Sequence, residues 1–327
     1  MNRHIRKTRF IVLLGVLLAL ILPAAQADQP VRAAAFTGPT GMGMAPLMQA
    51  DREVTSLNDY EFMLASSPDQ IVPLLVRGEL DIACVPANLA AVLWNNTQGK
   101  VRVLAVNTLG VLYIASHGQT LSGTQDLKGR TVYASGKGST PEYALRYVLD
   151  HSSLTDNDVN VEWKSEHAEA LAAFLKDPDS LVLLPQPFIT VAAGKCEDLV
   201  IAIDLNEAWE SIPSGDGASP VLITGCVIAR TDFISENPRQ VENFLTEYAS
   251  AVEYVNTDIP GAAAVIGSEG IFDASVAEKA IPFCHIVCVT GAQMRDMLTG
   301  YFSVLYDYDS AGVGGALPDD GLYYVSD

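Results

Sequence analysis

The sequence predicts an α/β protein of two lobes, each a mainly parallel sheet flanked by helices. Three observations carry this reading. Short apolar runs alternate with segments of helical periodicity from Val31 onward, the pattern of βαβ units. Two strands each run into a glycine-rich turn and a helix start, at Gly38-Pro39-Thr40-Gly41-Met42-Gly43 and at Gly136-Lys137-Gly138-Ser139-Thr140-Pro141. The chain of 327 residues is also longer than one hydrophobic core usually supports, even without a leader.

The elements follow in order. An apolar run from Val31 stops at Gly38, and Met44-Ala45-Pro46-Leu47-Met48 continues as helix. Residues 60–65 read as a strand, and 69–77 present a helix face at Ile71, Val72, Leu74, Leu75 and Val76. The strand 81–85 stops at Pro86, with 87–94 as its helix, and 101–106 is the next strand. The cycle restarts at 111–116. A turn at 126–129, a strand over 130–135 and a helix over 142–151 come next. Ser139 or Thr140 is the candidate N-cap of that helix, with Pro141 near its first position and Glu142 as the first-turn acid. Strands are expected at 159–163, 181–184, 200–203 and 221–229, with a Pro/Gly loop at 212–219. Residues 238–306 are mostly helical, and a Gly-rich tail runs to the end.

The first residues indicate the compartment. Arg3, Arg6, Lys7 and Arg9 precede an apolar run of about 13 residues and the small-x-small box Ala25-Gln26-Ala27, the form of a secretory signal peptide over 1–27. That run is shorter than the roughly 20 residues of a membrane span. Cleavage near Ala27 would release an exported protein, periplasmic or extracellular, beginning near Asp28. The net charge is −19, from 20 basic and 39 acidic residues; losing four basic residues leaves 16 against 39, or −23. That balance argues against a nucleic-acid partner, which requires Lys/Arg surfaces. An anionic ligand would have to be held by local dipoles against the global field.

Five cysteines do not make a disulfide scaffold at this length. Cys84, Cys196 and Cys226 sit in apolar or strand-like context and read as buried thiols. Cys284-His285-Ile286-Val287-Cys288 invites a metal or a local disulfide. A structural zinc wants four ligands, and without a second ligand cluster plain packing is favoured. No metal, cofactor or catalytic residue is assigned.

In this order, the motifs resemble those of the solute-binding proteins of ABC importers, in the nitrate/sulfonate/taurine-like branch of the type II periplasmic-binding fold. The segments that carry the resemblance are GPTGMGMAPLM at 38–48, IVPLLVRGELDIACVPANLAAVLWN at 71–95, VLAVNTLGVLYI at 103–114, DLKGRTVYASGKGSTPEYALRYVL at 126–149 and LLPQPFITVA at 183–192. The resemblance implies a Venus-flytrap receptor. Lobe one would comprise 28–110 and 222–327, lobe two 111–221, with hinges near Thr108-Leu109-Gly110 and Val221-Leu222. It implies a monomer that captures a small organic solute, anionic or heterocyclic, and delivers it to a membrane permease.

Five loops are the expected ligand site under this resemblance. They are Thr37, Gly38, Pro39, Thr40, Gly41 and Met42; Ser66 and Ser67; Pro86, Ala87 and Asn88; Gly138, Ser139 and Thr140; and Gln186, Pro187 and Phe188. Lys137 is a possible cationic anchor, although a lone lysine in such a loop is more often solvated. Tyr60, Trp94, Phe188 and Trp209 could stack on a ring or simply pack. The competing readings are an enzyme of pyrimidine- or menaquinone-precursor type on the same fold, and a ligand-sensing module. The five loops hold none of His117, His151, His167 and His285 and no acid pair, so binding is favoured over general acid–base chemistry.

Overall fold

The computed structural model describes residues 29–155, 157–213 and 221–325. The expected leader, its cleavage point and most of the expected loop at 212–219 lie outside these residues. Within the described chain, Gly38-Pro39 ends β1 (Val31–Phe36) and starts α1 (Pro39–Arg52), because proline presets φ for a first helical turn and has no N–H to leave unpaired. The same device starts α2 (Pro68–Val76) after β2 (Tyr60–Ala65). Next come β3 (Ile82–Pro86), α3 (Ala87–Thr97), β4 (Val101–Leu109) and β5 (Leu112–His117). A second series follows: β6 (Thr131–Ser135), α4 (Thr140–His151), β7 (Asn160–Lys164), α5 (His167–Phe174), β8 (Leu181–Pro185), α6 (Phe188–Lys195), β9 (Leu199–Asp204) and α7 (Leu205–Glu210). The chain closes with β10 (Ile223–Arg230), α8 (Thr231–Glu236), α9 (Pro238–Thr257), α10 (Ile259–Ser268), α11 (Ala274–Ala280), β11 (Ile286–Val289) and α12 (Gly291–Tyr308).

Two sheets result, a six-stranded one in the order β11-β4-β10-β3-β1-β2 and a five-stranded one in the order β7-β6-β8-β5-β9. Both are mixed rather than mainly parallel. β2, β1 and β3 run parallel, as do β7, β6 and β8. β10 and β5 then pair antiparallel on both sides. These strands carry the chain between sheets: β4 and β5 are joined only by Gly110 and Val111, and β10 re-enters the first sheet after α7.

The first sheet is buried on both faces. One face packs on Met42, Met44 and Leu47 of α1 with Phe244, Tyr248 and Val252 of α9. Gly43 is required for this approach, since a Cβ there would lie 2.9 Å from Ile286 Cγ2. Residues 238–306 are mostly helical, as expected, with one short strand among the helices. The four-residue apolar run of β11, read as part of a mostly helical region, is a strand that pairs with β4 as a sheet edge. A run that short does not distinguish strand from helix by periodicity. The glycine-rich tail is also packed. Tyr324 N–H donates to the Val103 carbonyl at 2.9 Å, and Asn95 Nδ2 donates to the Val313 carbonyl at 2.7 Å.

One ion cluster ties three strands together. Asp81, 3% exposed, accepts from Arg32 N, Nε and Nη2 at 3.0, 2.8 and 2.6 Å and from Arg230 Nη2 at 2.9 Å. Burial alone would raise its pKa, but the hydrogen bonds from Arg32 and Arg230 outweigh that and hold it below the usual carboxylate range. A depressed folded-state pKa contributes stability that is full above the unfolded value of about 3.9 and fades as pH falls through the folded value. Asp81→Asn should therefore cost about 2–3 kcal/mol at pH 7, less than the roughly 3–5 of a fully buried pair, because the Arg32 side chain is 34% exposed. Urea midpoints measured from pH 7 to 3 should show a flatter acid limb for the variant than for the parent.

Candidate functional site

The carboxyl ends of β1, β2 and β3 face those of β6, β7 and β8 across a cleft of about 320 Å³. Ligands of open α/β sheets bind at such edges. In each series the chain leaves a strand, turns, and enters a helix whose first N–H groups have no partner within the helix. The helix starts therefore line the cleft from both sides and present donors and the positive ends of helix dipoles.

On the first-sheet side, Phe36, Thr37, Gly38, Pro39 and Thr40 form the wall at the start of α1. Thr40 Oγ1 accepts from Phe36 N–H at 3.1 Å, so the threonine hydroxyl closes its own turn. Gly41 allows this geometry: a Cβ there would lie 2.5 Å from the Phe36 carbonyl oxygen. Ser66, Ser67 and Pro68 line the cleft at the start of α2, and Gln70 Oε1 accepts from Ser66 N–H at 2.9 Å. Val85, Pro86, Thr108, Thr224 and Gly225 form the floor.

On the second-sheet side, Gly136 turns the chain with φ +87°, in the region glycine adopts without strain. Ser139 Oγ–H donates to its carbonyl at 2.8 Å. The buried Glu142 carboxylate accepts from Gly138 N–H at 2.5 Å and pairs with Arg146 at 3.1 Å. Beyond β7, Ser165, Glu166, His167 and Ala168 line the cleft, and Glu169 accepts from Ser165 N–H at 3.1 Å. Gln186 follows β8, its Oε1 taken by Thr190 Oγ–H at 2.8 Å. Among the described residues its side-chain amide nitrogen donates to no partner, which leaves it for the cleft. Phe188 packs near His167 with ring centroids 5.0 Å apart, and edge-on to Phe272 at 5.5 Å.

Ten of the expected residues meet in this cleft: Thr37, Gly38, Pro39, Thr40, Ser66, Ser67, Pro86, Ser139, Gln186 and Phe188. Seven do not line it. Gly41, Met42 and Ala87 turn into the core, one or two residues too far along their helices. Asn88 is fully buried, its Nδ2 donating to the Gly138 and Gly312 carbonyls at 3.4 and 3.3 Å. Thr140 Oγ–H donates to Asn88 Oδ1 at 3.4 Å and lies 3.1 Å from the Tyr301 hydroxyl. Pro187 is buried as the cap of α6, and the exposed Gly138 spends its N–H on Glu142. Lys137 is exposed and outside the cleft. Tyr60 and Trp209 are core residues, and Trp94 packs beneath Gly99 and Gly321.

The loop after β7 is the one the sequence reading missed, and with it the expectation of a cleft without histidine or acid. Glu166 is the one charged side chain among the described residues that line the cleft, and it accepts from Ser66 Oγ–H across the cleft at 2.9 Å. His167 Nδ1 lies 2.5 Å from Ser135 Oγ. Desolvation lowers the His167 pKa to about 4, so the ring is neutral at pH 7. Among the described residues it has no hydrogen-bonded carboxylate behind it, as a hydrolytic triad requires.

No protein-family model and no curated protein sequence matches the chain. Solved structures do. An ABC transporter protein from Parabacteroides distasonis superposes with a TM-score of 0.75 at 22% identity, covering 92% of this chain and 100% of that one. The alkanesulfonate-binding protein SsuA from Xanthomonas axonopodis pv. citri, bound to MOPS, gives 0.69 at 15% identity, covering 90% and 96%. The periplasmic aliphatic sulphonate-binding protein SsuA from Escherichia coli gives 0.69 at 14% identity, covering 89% and 92%. The chain has the two-sheet α/β fold of periplasmic solute-binding proteins of ABC importers.

Proposed function

We propose that this chain is an exported, monomeric receptor that captures a small organic solute between two lobes and presents it to an ABC importer permease. The observation that carries the proposal is the cleft, where the helix starts of two separate sheets converge on one volume. That volume of about 320 Å³ falls in the range of small-molecule sites. On this reading the lobes are 28–110 with 222–327, and 111–221, and the short crossing at Gly110-Val111 is one hinge. Closure is a population shift driven by contacts that the solute makes with both lobes at once.

The lining narrows the solute class. Among the described residues no lysine or arginine lines the cleft, and Glu166 places a negative charge at its mouth. Glu142 and Glu169 already occupy the N–H groups entering α4 and α5, so the site's positive dipoles are partly neutralised from within. Phe36, Phe188 and several prolines form apolar walls. A neutral or weakly basic heterocycle with a few hydrogen-bonding groups suits this surface better than a sulfonate. An enzymatic role on the same fold is less favoured, because among the described residues the Ser135–His167 contact has no third member. A ligand-sensing role would use the same cleft with a different partner.

Native mass spectrometry of the purified protein, paired with a thermal-shift panel of heterocycles, carboxylates and sulfonates, tests the reading. A bound or stabilising solute is expected; the absence of both a co-purified molecule and any shift across the panel would overturn the receptor assignment. Phe188→Ala should weaken binding about tenfold, the scale of one lost aromatic contact. Glu166→Gln should raise the affinity of anionic panel members several-fold while leaving neutral ones little changed, read by isothermal titration.

A further inference from the structure

At the end of β5 remote from the cleft, five residues and about 16 Å beyond Leu112, three metal-ligating side chains converge. His117 closes β5, Cys196 follows α6, and Asp198 precedes β9. His117 Nδ1 lies 3.3 Å from Cys196 Sγ, Cys196 Sγ 3.1 Å from Asp198 Oδ1, and Asp198 Oδ1 3.8 Å from His117 Nδ1. A tetrahedral zinc with Zn–S of about 2.3 Å and Zn–N and Zn–O of about 2.0 Å sets its ligands about 3.3–3.6 Å apart. The three observed separations match those edges to within about 0.5 Å.

The histidine is oriented for this role. Its Nε2 is 3.0 Å from the Phe174 carbonyl, which can only accept, so Nε2 carries the proton and Nδ1 turns its lone pair toward the sulfur. Such a carbonyl partner is the usual outer support of a metal-binding imidazole. The ring also stacks on Phe174, with centroids 4.0 Å apart and planes 22° apart. The backbone fixes the other two ligands. Gly118 N–H donates to the Asp198 carbonyl at 2.7 Å, and His117 is paired with Leu199 in the β5–β9 ladder. Cys196 is buried while Asp198 opens to solvent, leaving an entry path and a fourth position for water.

We propose that His117, Cys196 and Asp198 form a three-ligand zinc site with an open fourth position, where the end of α6 and the edge strand β9 meet β5. Binding breaks the S–H bond: zinc takes the thiolate electron pair, the proton leaves to solvent, and nothing is oxidised or reduced. Thiolate, imidazole and one carboxylate favour zinc over magnesium or calcium, and two anionic ligands balance its charge. The site is independent of the solute cleft and does not rest on the receptor reading.

Cobalt(II) titration of the purified protein tests it, followed by displacement with zinc. One equivalent should produce a thiolate-to-cobalt charge-transfer band in the near ultraviolet, abolished by zinc. Cys196→Ser and His117→Ala should each weaken binding about 100-fold or more, given that even supporting partners account for about 10–100-fold. Asp198→Asn, at an exposed position, should weaken it about tenfold and serves as the decisive variant if the buried cysteine change prevents folding. Absence of the band, or a band of unchanged affinity in Asp198→Asn and His117→Ala, would overturn the proposal.

Discussion

The cleft depends on one interaction repeated at four of its turns. A residue entering the turn offers its N–H, and the side chain four positions later accepts it: Phe36 to Thr40, Ser66 to Gln70, Gly138 to Glu142, and Ser165 to Glu169. The device is a relative of the capping box, in which an early helical side chain reaches back to the chain before the helix. It satisfies a donor that would otherwise be orphaned next to a helix start. It also fixes where the strand ends relative to the first helical turn, so on the receptor reading the loops are ordered before a solute arrives. A preordered loop loses less conformational freedom on binding, which leaves more of the contact energy as affinity.

The same interaction sets the electrostatics. A helix start attracts anions, and a cleft built from several of them would by default favour a strongly anionic ligand. In this chain two of the four acceptors are carboxylates, and the buried Glu142 is further neutralised by Arg146. The protein has placed its own anions where an external one would bind. With the net charge at −19, long-range attraction does not recruit an anion either. Beside the Glu166 carboxylate and the neutral His167 ring, the cleft lining is hydroxyls, one amide and aromatic or proline walls, which on the receptor reading discriminate by shape and hydrogen-bond pattern.

Much of this was legible in the sequence, for physical reasons. Proline and glycine mark where strands stop and helices start, so the turns at Gly38 and Gly136 could be read directly. The depth of each loop was less legible. Asn88 and Met42 lie two residues beyond the cleft edge, and Thr140 lies between the lining residues Ser139 and Pro141; helical rotation of about 100° per residue turns all three into the core. The turn at Ser165-Glu166-His167 carries no glycine or proline and gave no conventional signal. Its signal was Glu169, an acceptor four residues past the turn, which has meaning only once the same spacing is recognised at Gln70 and Glu142. The mixed character of the sheets was hidden because β5 and β10 are as apolar as their parallel neighbours. Strand direction is a property of connectivity rather than composition.

The two sides of the cleft are joined by contacts of unequal character, and this inequality indicates how the halves can move. Deep in the molecule, Asn88 of α3, Thr140 of α4 and Tyr301 of α12 form a chain of hydrogen bonds, each residue 1% exposed or less. Separating them would strand polar groups away from water, which costs far more than a solvated bond. At the mouth, Ser66 and Glu166 meet as exposed side chains, and water can replace that bond at little cost. An opening motion of low energy therefore keeps the buried seam intact and breaks the contact at the mouth.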